Sequence, residues 1–259
     1  MTARVTVLGS GTSFGVPMPG KEYAPEFLAH PHNWRTRCSL AIEGPGGTLI
    51  VDCTPEFRLQ TIRERVMRVD AVLITHTHAD HVMGLDDLRS FCLRQEAEMP
   101  IYTLPRYVRE IERVFSYAFQ PPTPGTFVPR LELREIAADG ETLDLIGLPV
   151  RVFTVEHGKL PVIGLRIGGF AYVTDVSRVP PEAEAHLHGL DVLMIDAVRL
   201  APHPNHFHLR AALDEIERLG PKRAYLTHLS GDFDAGAPPE MPPHVRLAYD
   251  GLRLDLTVD

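Results

Sequence analysis

A dense group of metal-ligating side chains directly follows an apolar run in this chain. Residues 71–74 read Ala-Val-Leu-Ile, which is typical of a buried β-strand. Within the next seven positions come His76, His78, Asp80 and His81. His76 and His78 project to the same side if the strand continues through them, and the following turn can bring the other two back. Because imidazole and carboxylate groups suit zinc, iron or manganese, the pattern predicts a metal site at a strand end.

Three further residues of ligand type occupy comparable positions later in the chain. His157, Asp175 and His228 each come directly after a strand-like run, where loops build active sites. Any one of them alone is more often an ordinary polar loop residue. Together with the first cluster they give seven candidate ligands, arranged as two groups of three and one residue that can join them.

Composition narrows the class of protein to which this site belongs. The chain has 259 residues, 44% of them apolar and 23% charged, and its net charge is −8, so disorder, coiled coil and a globally basic nucleic-acid binder are not expected. Three cysteines without CxxC-type spacing argue against a disulfide framework and favour a reducing cytoplasm. We find neither a signal-peptide pattern nor a run of about 20 apolar residues, and therefore expect a cytoplasmic protein without a membrane span.

Strand and helix patterns alternate along both halves, which predicts an α/β fold with a mixed sheet in a single domain, residues 1–259. The predicted strands are 5–8, 39–42, 48–51, 71–74, 148–155, 163–167, 170–174, 192–195 and 224–226. The predicted helices are 55–67, 84–95, 107–119 and 208–219. The strongest break is the Pro-rich stretch 120–125. Asp250-Gly251 lies between two strand-like runs and predicts a hairpin turn.

The order and spacing of these ligand-type residues resemble the metallo-β-lactamase superfamily of dinuclear hydrolases. The resemblance implies a four-layered αββα sandwich (α/β, also described as α+β) with two mixed β-sheets and the metals between them. It also implies two divalent ions, zinc or manganese with iron as a further candidate. One ion would be bound by His76, His78 and His157, the second by Asp80, His81 and His228, with Asp175 bridging both and Asp52 supporting the ligands.

Motifs outside the ligand set resemble one branch of that superfamily, the phosphodiesterases that include ribosyl 1,2-cyclic phosphate phosphodiesterase of the C–P lyase pathway. The motifs lie at residues 8–17, 84–89, 205–207 and 249–251. They imply hydrolysis of a small, linear or cyclic phosphodiester by a metal-bound hydroxide. The catalytic residues would be Asp80 and His206, the latter as general acid or phosphate contact. Independently of the resemblance, His206 precedes the predicted helix 208–219, whose N-terminal amides favour an anion.

The chain departs from that branch in the loop after the first strand. The branch often carries a Cys-x-Cys-x-x-Cys group there, and a second histidine three residues after the last metal-binding histidine, which together bind a structural zinc. Here residues 20–25 read Gly-Lys-Glu-Tyr-Ala-Pro and position 231 is Gly231. We therefore expect no structural zinc, and a 20–35 loop that is ordered in another way.

Other functions on the same metal motif remain open from the sequence. A tRNA 3′-processing endoribonuclease needs a basic arm, and we find no long Gly-Pro-Lys-rich insertion. A thioesterase of the glyoxalase II type resembles a chain with a helical C-terminal domain, whereas this one ends in strand-like residues. A redox di-iron protein would favour a carboxylate in place of His78, and a non-catalytic binding protein would usually have lost ligands. A small-molecule phosphodiester is therefore the expected partner, nucleic acid is less favoured, and a homodimer stays open.

Overall fold

The computed structural model describes residues 1–121, 124–137 and 139–258. The strands are β1 (Thr2–Gly9), β2 (Ser39–Gly44), β3 (Gly47–Val51), β4 (Ala71–Leu73), β5 (Met99–Thr103), β6 (Leu131–Glu135), β7 (Thr142–Leu145), β8 (Leu148–His157), β9 (Leu160–Ile167), β10 (Phe170–Val173), β11 (Val192–Asp196), β12 (Arg223–Thr227), β13 (Val245–Leu247) and β14 (Arg253–Thr257). The α-helices are α1 (Pro25–Ala29), α2 (Phe57–Glu64), α3 (Ala79–Val82), α4 (Arg89–Gln95), α5 (Pro105–Val114), α6 (Pro181–Glu184) and α7 (Leu209–Leu219). Pro122 and Thr123, in the predicted break, lie outside the described residues.

The strands form two seven-stranded mixed sheets. The first has the order β14-β1-β2-β3-β4-β5-β6 and the second β13-β12-β11-β10-β9-β8-β7. In each sheet four strands run parallel, β3 to β6 in the first and β10 to β13 in the second, while the other neighbours pair antiparallel. The ends of the parallel strands therefore gather at one edge of each sheet, where connecting loops can build a site.

Three hydrophobic clusters define four layers. The cluster between the sheets holds Val7, Leu40 and Leu148. A second cluster packs α7 against the second sheet, and a third packs α2 and α4 against the first. Alternation within β8 shows how the sequence builds this arrangement: Leu148, Val150 and Val152 are buried while Pro149 and Arg151 are exposed. The expected four-layered sandwich with two mixed sheets is confirmed.

The hairpin predicted at Asp250-Gly251 is wrong. A turn is present there, but β13 before it and β14 after it belong to opposite sheets. The reason is that the Asp250 carboxylate accepts hydrogen bonds from the main-chain N–H and hydroxyl groups of Ser10 and Thr36. These bonds anchor the turn to two other loops, so the chain passes from one sheet to the other.

Other predicted segments need smaller corrections. The predicted helix 84–95 begins as a 3₁₀ turn, Leu85–Leu88, and becomes α-helical only in α4. The predicted helix 107–119 ends as α5 at Val114 and is followed by a second 3₁₀ turn. Strands β5 to β7 were not predicted, because β5 contains Pro100 and the other two lie at sheet edges. Among the described residues, no helix is long and apolar enough to cross a bilayer.

Candidate metal centre

The candidate ligands lie at the ends of strands from both sheets. In the second sheet His157 is the last residue of β8, and Asp175 and His228 closely follow β10 and β12. In the first sheet β4 leads into a loop with His76 and His78, and the short helix α3 follows it. The seven residues predicted from the sequence are therefore brought together where the strand ends of the two sheets lie close to each other.

One group of donor atoms consists of His76, His78, His157 and Asp175. All its ligand atoms lie within 4.8 Å of one another. The rings of His76 and His78 are 4.5 Å apart between centroids, and that of His78 is 5.2 Å from that of His157. Three imidazoles and a carboxylate at this spacing can hold a divalent transition metal.

A second group consists of Asp80, His81 and His228, again with donor atoms within 4.8 Å of one another. His81 Nε2 lies 3.2 Å from Asp80 Oδ2, and His228 Nε2 lies 3.8 Å from the same oxygen. Helix α3 places Asp80 and His81 on adjacent positions, so one turn of chain contributes two donors.

Asp175 stands between the two groups. Its Oδ2 is 3.2 Å from His81 Nε2, and its Oδ1 is 3.4 Å from His228 Nε2. The same carboxylate belongs to the group around His76 and His157. A carboxylate that faces both sets of imidazoles has the geometry of a bridging ligand.

Asp52 orients two of the histidines, although the sequence suggested it only through the resemblance. Its carboxylate accepts hydrogen bonds from His81 Nδ1 at 2.7 Å and from Thr75 Oγ1 at 2.9 Å. Because the Thr75 hydroxyl donates to Asp52, it accepts from His76 Nδ1, 3.0 Å away. Both imidazoles therefore use Nδ1 as the hydrogen-bond donor to these partners and turn Nε2 toward the site.

Buried imidazole nitrogens that make no hydrogen bond show that the site fits a metal. The Nε2 atoms of His76, His81 and His228 are buried and make no hydrogen bond to any described residue. His157 Nδ1 donates to the Asn205 carbonyl oxygen at 2.6 Å, so its Nε2 is also the free nitrogen. Buried polar atoms that lack hydrogen bonds are costly, and two metal ions, one in each group of ligands, would satisfy all of these nitrogens.

The histidines and carboxylates of the site shift one another's pKa values strongly. Burial lowers the pKa of His76 well below its usual range. Burial alone would also lower the pKa of His228, but the carboxylates of Asp175, Asp80 and Asp196 together outweigh it and raise that pKa to about 9. Burial opposes the ionisation of Asp175, yet the charges of His228 and His81 hold its pKa well below the usual range. The carboxylates and imidazoles thus stabilise one another as ion pairs, as expected for groups that share one small volume.

Three of the six described non-glycine residues with a positive φ lie at the same place. Asp52, Asp175 and His228 have positive φ angles of 63°, 49° and 57°, a region that non-glycine residues adopt at a cost of roughly 1–3 kcal/mol each. Each of the three follows a buried strand by one or two residues. The left-handed conformation ends the strand and turns the side chain toward the site, so strain coincides with the candidate function.

His206 and Asp196 form a pair beside the ligands. His206 Nδ1 is 2.8 Å from Asp196 Oδ2, and the His206 ring lies 4.4 Å from that of His157 and 4.9 Å from that of His228. The second Asp196 oxygen, Oδ1, lies 3.6 Å from His228 Nδ1. Asp196 was missed in the sequence. It is the last residue of the buried strand β11, the same strand-end position that singled out the other candidates.

Comparisons with known proteins identify the family. The Beta-lactamase superfamily domain matches residues 48–229, a range that contains every candidate ligand. A solved structure described as a new diphosphatase from the PhnP family has a TM-score of 0.91 and 36% identity, and the match covers 100% of this chain and 98% of that one. The chain therefore belongs to the beta-lactamase superfamily. Its His/Asp groups are able to bind metal ions.

Two curated relatives are similar to this chain over part of their own length. A protein of Porphyromonas gingivalis named octanoyltransferase is 37% identical over 258 residues, which is 96% of this chain and 51% of that protein. Ribonuclease Z of Bradyrhizobium diazoefficiens is 33% identical over 135 residues, covering 49% of this chain and 42% of that enzyme. The chain thus spans about half the length of the curated relatives that it matches.

Proposed function

We propose that this chain is a dinuclear metal-dependent phosphodiesterase that hydrolyses a small phosphodiester, linear or cyclic. The observation that carries the proposal is the pair of His/Asp groups that meet at Asp175, with the His206–Asp196 pair beside them. His76, His78 and His157 would hold one ion, and Asp80, His81 and His228 the other. Zinc and manganese are the proposed metals, with iron as a further candidate.

The protein groups have separable roles in this chemistry. Bound divalent ions supply Lewis acidity and activate water near neutral pH. Asp196 holds the Nδ1 proton of His206 and stabilises the charged imidazolium, which leaves Nε2 to give a proton to the leaving oxygen. Asp80, also proposed as a catalytic residue, keeps its carboxylate beside His81 and His228. A chain with a net negative charge can bind a phosphodiester here because the bound metal ions would supply positive charge at the site.

Similarity to the PhnP-family diphosphatase supports a phosphate-containing substrate, since the match extends over the full length of both chains. The three cysteines are free and buried, which supports a cytoplasmic location as part of this proposal. We treat residues 1–259 as one catalytic domain. The similarity to the octanoyltransferase covers half of that protein, so its activity is not carried over.

A tRNA 3′-processing activity is the second candidate. It is favoured by the matches to ribonuclease Z, of which the one from Salinibacter ruber is 35% identical over 164 residues and covers 60% of this chain. A net charge of −8 argues against a large nucleic-acid interface without a separate basic element.

The test is an activity panel on metal-loaded protein with its metal content measured. The substrates are bis(4-nitrophenyl) phosphate, 2′,3′- and 3′,5′-cyclic nucleotides, ADP-ribose as a diphosphate diester, a tRNA precursor and a glutathione thioester. We expect hydrolysis of the small phosphate esters and two metal ions per chain at saturation. Hydrolysis of the thioester alone would overturn the proposal, and preference for the tRNA precursor would replace it with the second candidate.

A further inference from the structure

The loop of residues 17–37 packs against the segment 229–237, which follows the last site histidine. This is the loop in which the sequence lacks the cysteines of a structural zinc site. The groups of described residues that could hold a metal all lie at the centre between the sheets, and none includes a residue of this loop. The residues present do not fit a zinc ion, so other contacts must order the loop.

Tyr23 fills the space in front of Gly231. A Cβ atom at position 231 would lie 2.7 Å from the Tyr23 ring, closer than real atoms approach. The ring stacks on Phe27 with 4.8 Å between centroids, and its hydroxyl accepts a hydrogen bond from the Met18 main-chain N–H. Position 231 is therefore closed to any larger residue as long as Tyr23 keeps this place.

Asn33 ties the loop to the same segment from the other side. Its buried amide donates to the Phe27 carbonyl at 3.0 Å and to Asp234 Oδ1 at 2.8 Å. Its own carbonyl oxygen accepts from the Ala235 main-chain N–H at 2.8 Å. Two of these three hydrogen bonds link segments about 200 residues apart in the chain. The amide therefore connects the loop to the segment 229–237 and does not merely close a local turn.

Arg35 supplies a buried positive charge between the same elements. The side chain is 2% exposed, and its main chain pairs with Val16 through two hydrogen bonds. Burial lowers the pKa of Arg35 to about 10, while the carboxylates of Asp250 and Asp234 act in the opposite direction. The guanidinium therefore stays charged near neutral pH. Its Nη2 donates to Asn33 Oδ1 at 3.3 Å, whereas Nε and Nη1 are buried and make no hydrogen bond to any described residue.

These contacts continue to the metal centre. Leu229, directly after His228, donates its N–H to the Ser10 carbonyl and accepts from the Thr12 N–H. Asp250 binds Ser10 and Thr36 at once, which joins the 9–15 loop to the 17–37 loop. The strained conformation of His228 is thus embedded in a network that includes the loop.

We propose that the 17–37 loop is held by a metal-free lock, made of Tyr23, Asn33, Arg35, Gly231 and Asp234, and that this lock positions His228 for metal binding. It holds the loop without the structural zinc that the family resemblance would imply there. Its test needs no substrate, so it can fail or succeed separately from the proposed function.

Trp34 makes the first experiment direct. It is the only tryptophan in the chain, it lies in the loop, and its Nε1 donates to the Leu28 carbonyl at 2.9 Å. We expect a chelator to strip the site metals, measured by mass spectrometry, without changing the anisotropy or acrylamide quenching of Trp34. A His76→Ala/Asp80→Ala/His81→Ala variant, which loses ligands from both groups, should retain neither site metal. One tightly held metal per chain in that variant, whose removal frees Trp34, would overturn the proposal.

Variants of the lock test the positioning of His228. We expect Tyr23→Ala and Gly231→Ala to lower the anisotropy of Trp34, to raise its quenching modestly because the side chain is already 56% exposed, and to weaken retention of the site metals roughly tenfold. Tyr23→Phe keeps the ring and should retain the lock, and Glu22→Ala, an exposed neighbour in the same loop, is the matched control. Folding of each variant is checked by circular dichroism. Folded variants with unchanged anisotropy and quenching would disprove the lock, and unchanged metal retention would disprove its positioning role.

Discussion

Individual residues in this site act through hydrogen bonds that choose which nitrogen of each histidine faces the centre. The Nδ1 atoms of three histidines donate hydrogen bonds to neighbours outside the ligand set. His81 donates to Asp52, His76 to Thr75 and His157 to the Asn205 carbonyl. A histidine has two similar nitrogens, and a fixed partner on one of them removes the tautomer that could not bind a metal. The residue that accepts the Nδ1 hydrogen bond therefore matters for metal binding as much as the histidine itself.

Asp52→Asn tests this role. The amide cannot reproduce the carboxylate that accepts from both His81 Nδ1 and Thr75. We expect the affinity for the site metals to fall about 10–100-fold, measured by competition with a chromogenic chelator. Asp144→Asn, at an exposed position of β7, is the control. Metal affinity unchanged within twofold would contradict the assigned role.

His206 and Asp196 can be separated from metal binding by kinetics. We expect His206→Ala to lower kcat on the best small phosphodiester by about 10²–10⁴-fold, because the proton donor to the leaving group is lost. Asp196→Asn should lower kcat less, since the imidazole remains. Both variants must be compared at equal metal content, with His244→Ala, an exposed histidine before β13, as the control. If His206→Ala stays within a few fold of the parent, it has no part in proton transfer.

At the scale of elements, close approach between β8 and β9 depends on a glycine. Gly164 pairs directly with Phe153, and a Cβ atom at 164 would lie 2.4 Å from the Phe153 ring. The strand β8 ends in His157, so its position matters for the site.

Gly164→Ala should therefore destabilise the protein by about 1–3 kcal/mol, the usual cost of overpacking a core, measured by urea unfolding. Phe153→Leu in the same chain makes room for the added methyl group. The double variant should lose less than the sum of the two single variants. Simple additivity would show that the predicted clash does not occur.

The molecule as a whole places its candidate ligands on both sheets. Loops after β4 carry four of them, and the ends of β8, β10 and β12 carry the other three. A bound ion would therefore cross-link the two halves of the sandwich, and anything that binds only the folded state stabilises it.

Removal of the metals should lower Tm for this reason. With free metal at 100 times its Kd, the expected loss of stability is about 2.7 kcal/mol per site. The measurement is calorimetry before and after chelation, followed by restoration of Tm on adding metal back. A Tm independent of metal would contradict a site that joins the sheets.

Parts of the fold followed from local patterns and parts did not. The hairpin of β2 and β3, and the helix α7 with its Gly220 end, are encoded by apolar periodicity and turn residues within each segment. The prediction of a hairpin at Asp250-Gly251 was wrong because the same local pattern fits a turn that joins two strands of one sheet and a turn that joins strands of different sheets. Asp250 bonds to Ser10 and Thr36, distant in the chain, decide between them.

The sequence by itself determined the types of the candidate ligands, their order and an α/β pattern with a mixed sheet, because ligand spacing and strand periodicity are local properties of a chain. The four layers were implied only by the family resemblance. Only the tertiary structure decided which carboxylate lies between the two groups of imidazoles, which nitrogen of His76, His81 and His157 faces the site, and that Asp196 contacts His206. It also showed how Tyr23 and Asn33 order a loop without cysteines. These features depend on contacts between residues far apart in the chain, whose distances and hydrogen bonds exist only after both sheets have packed.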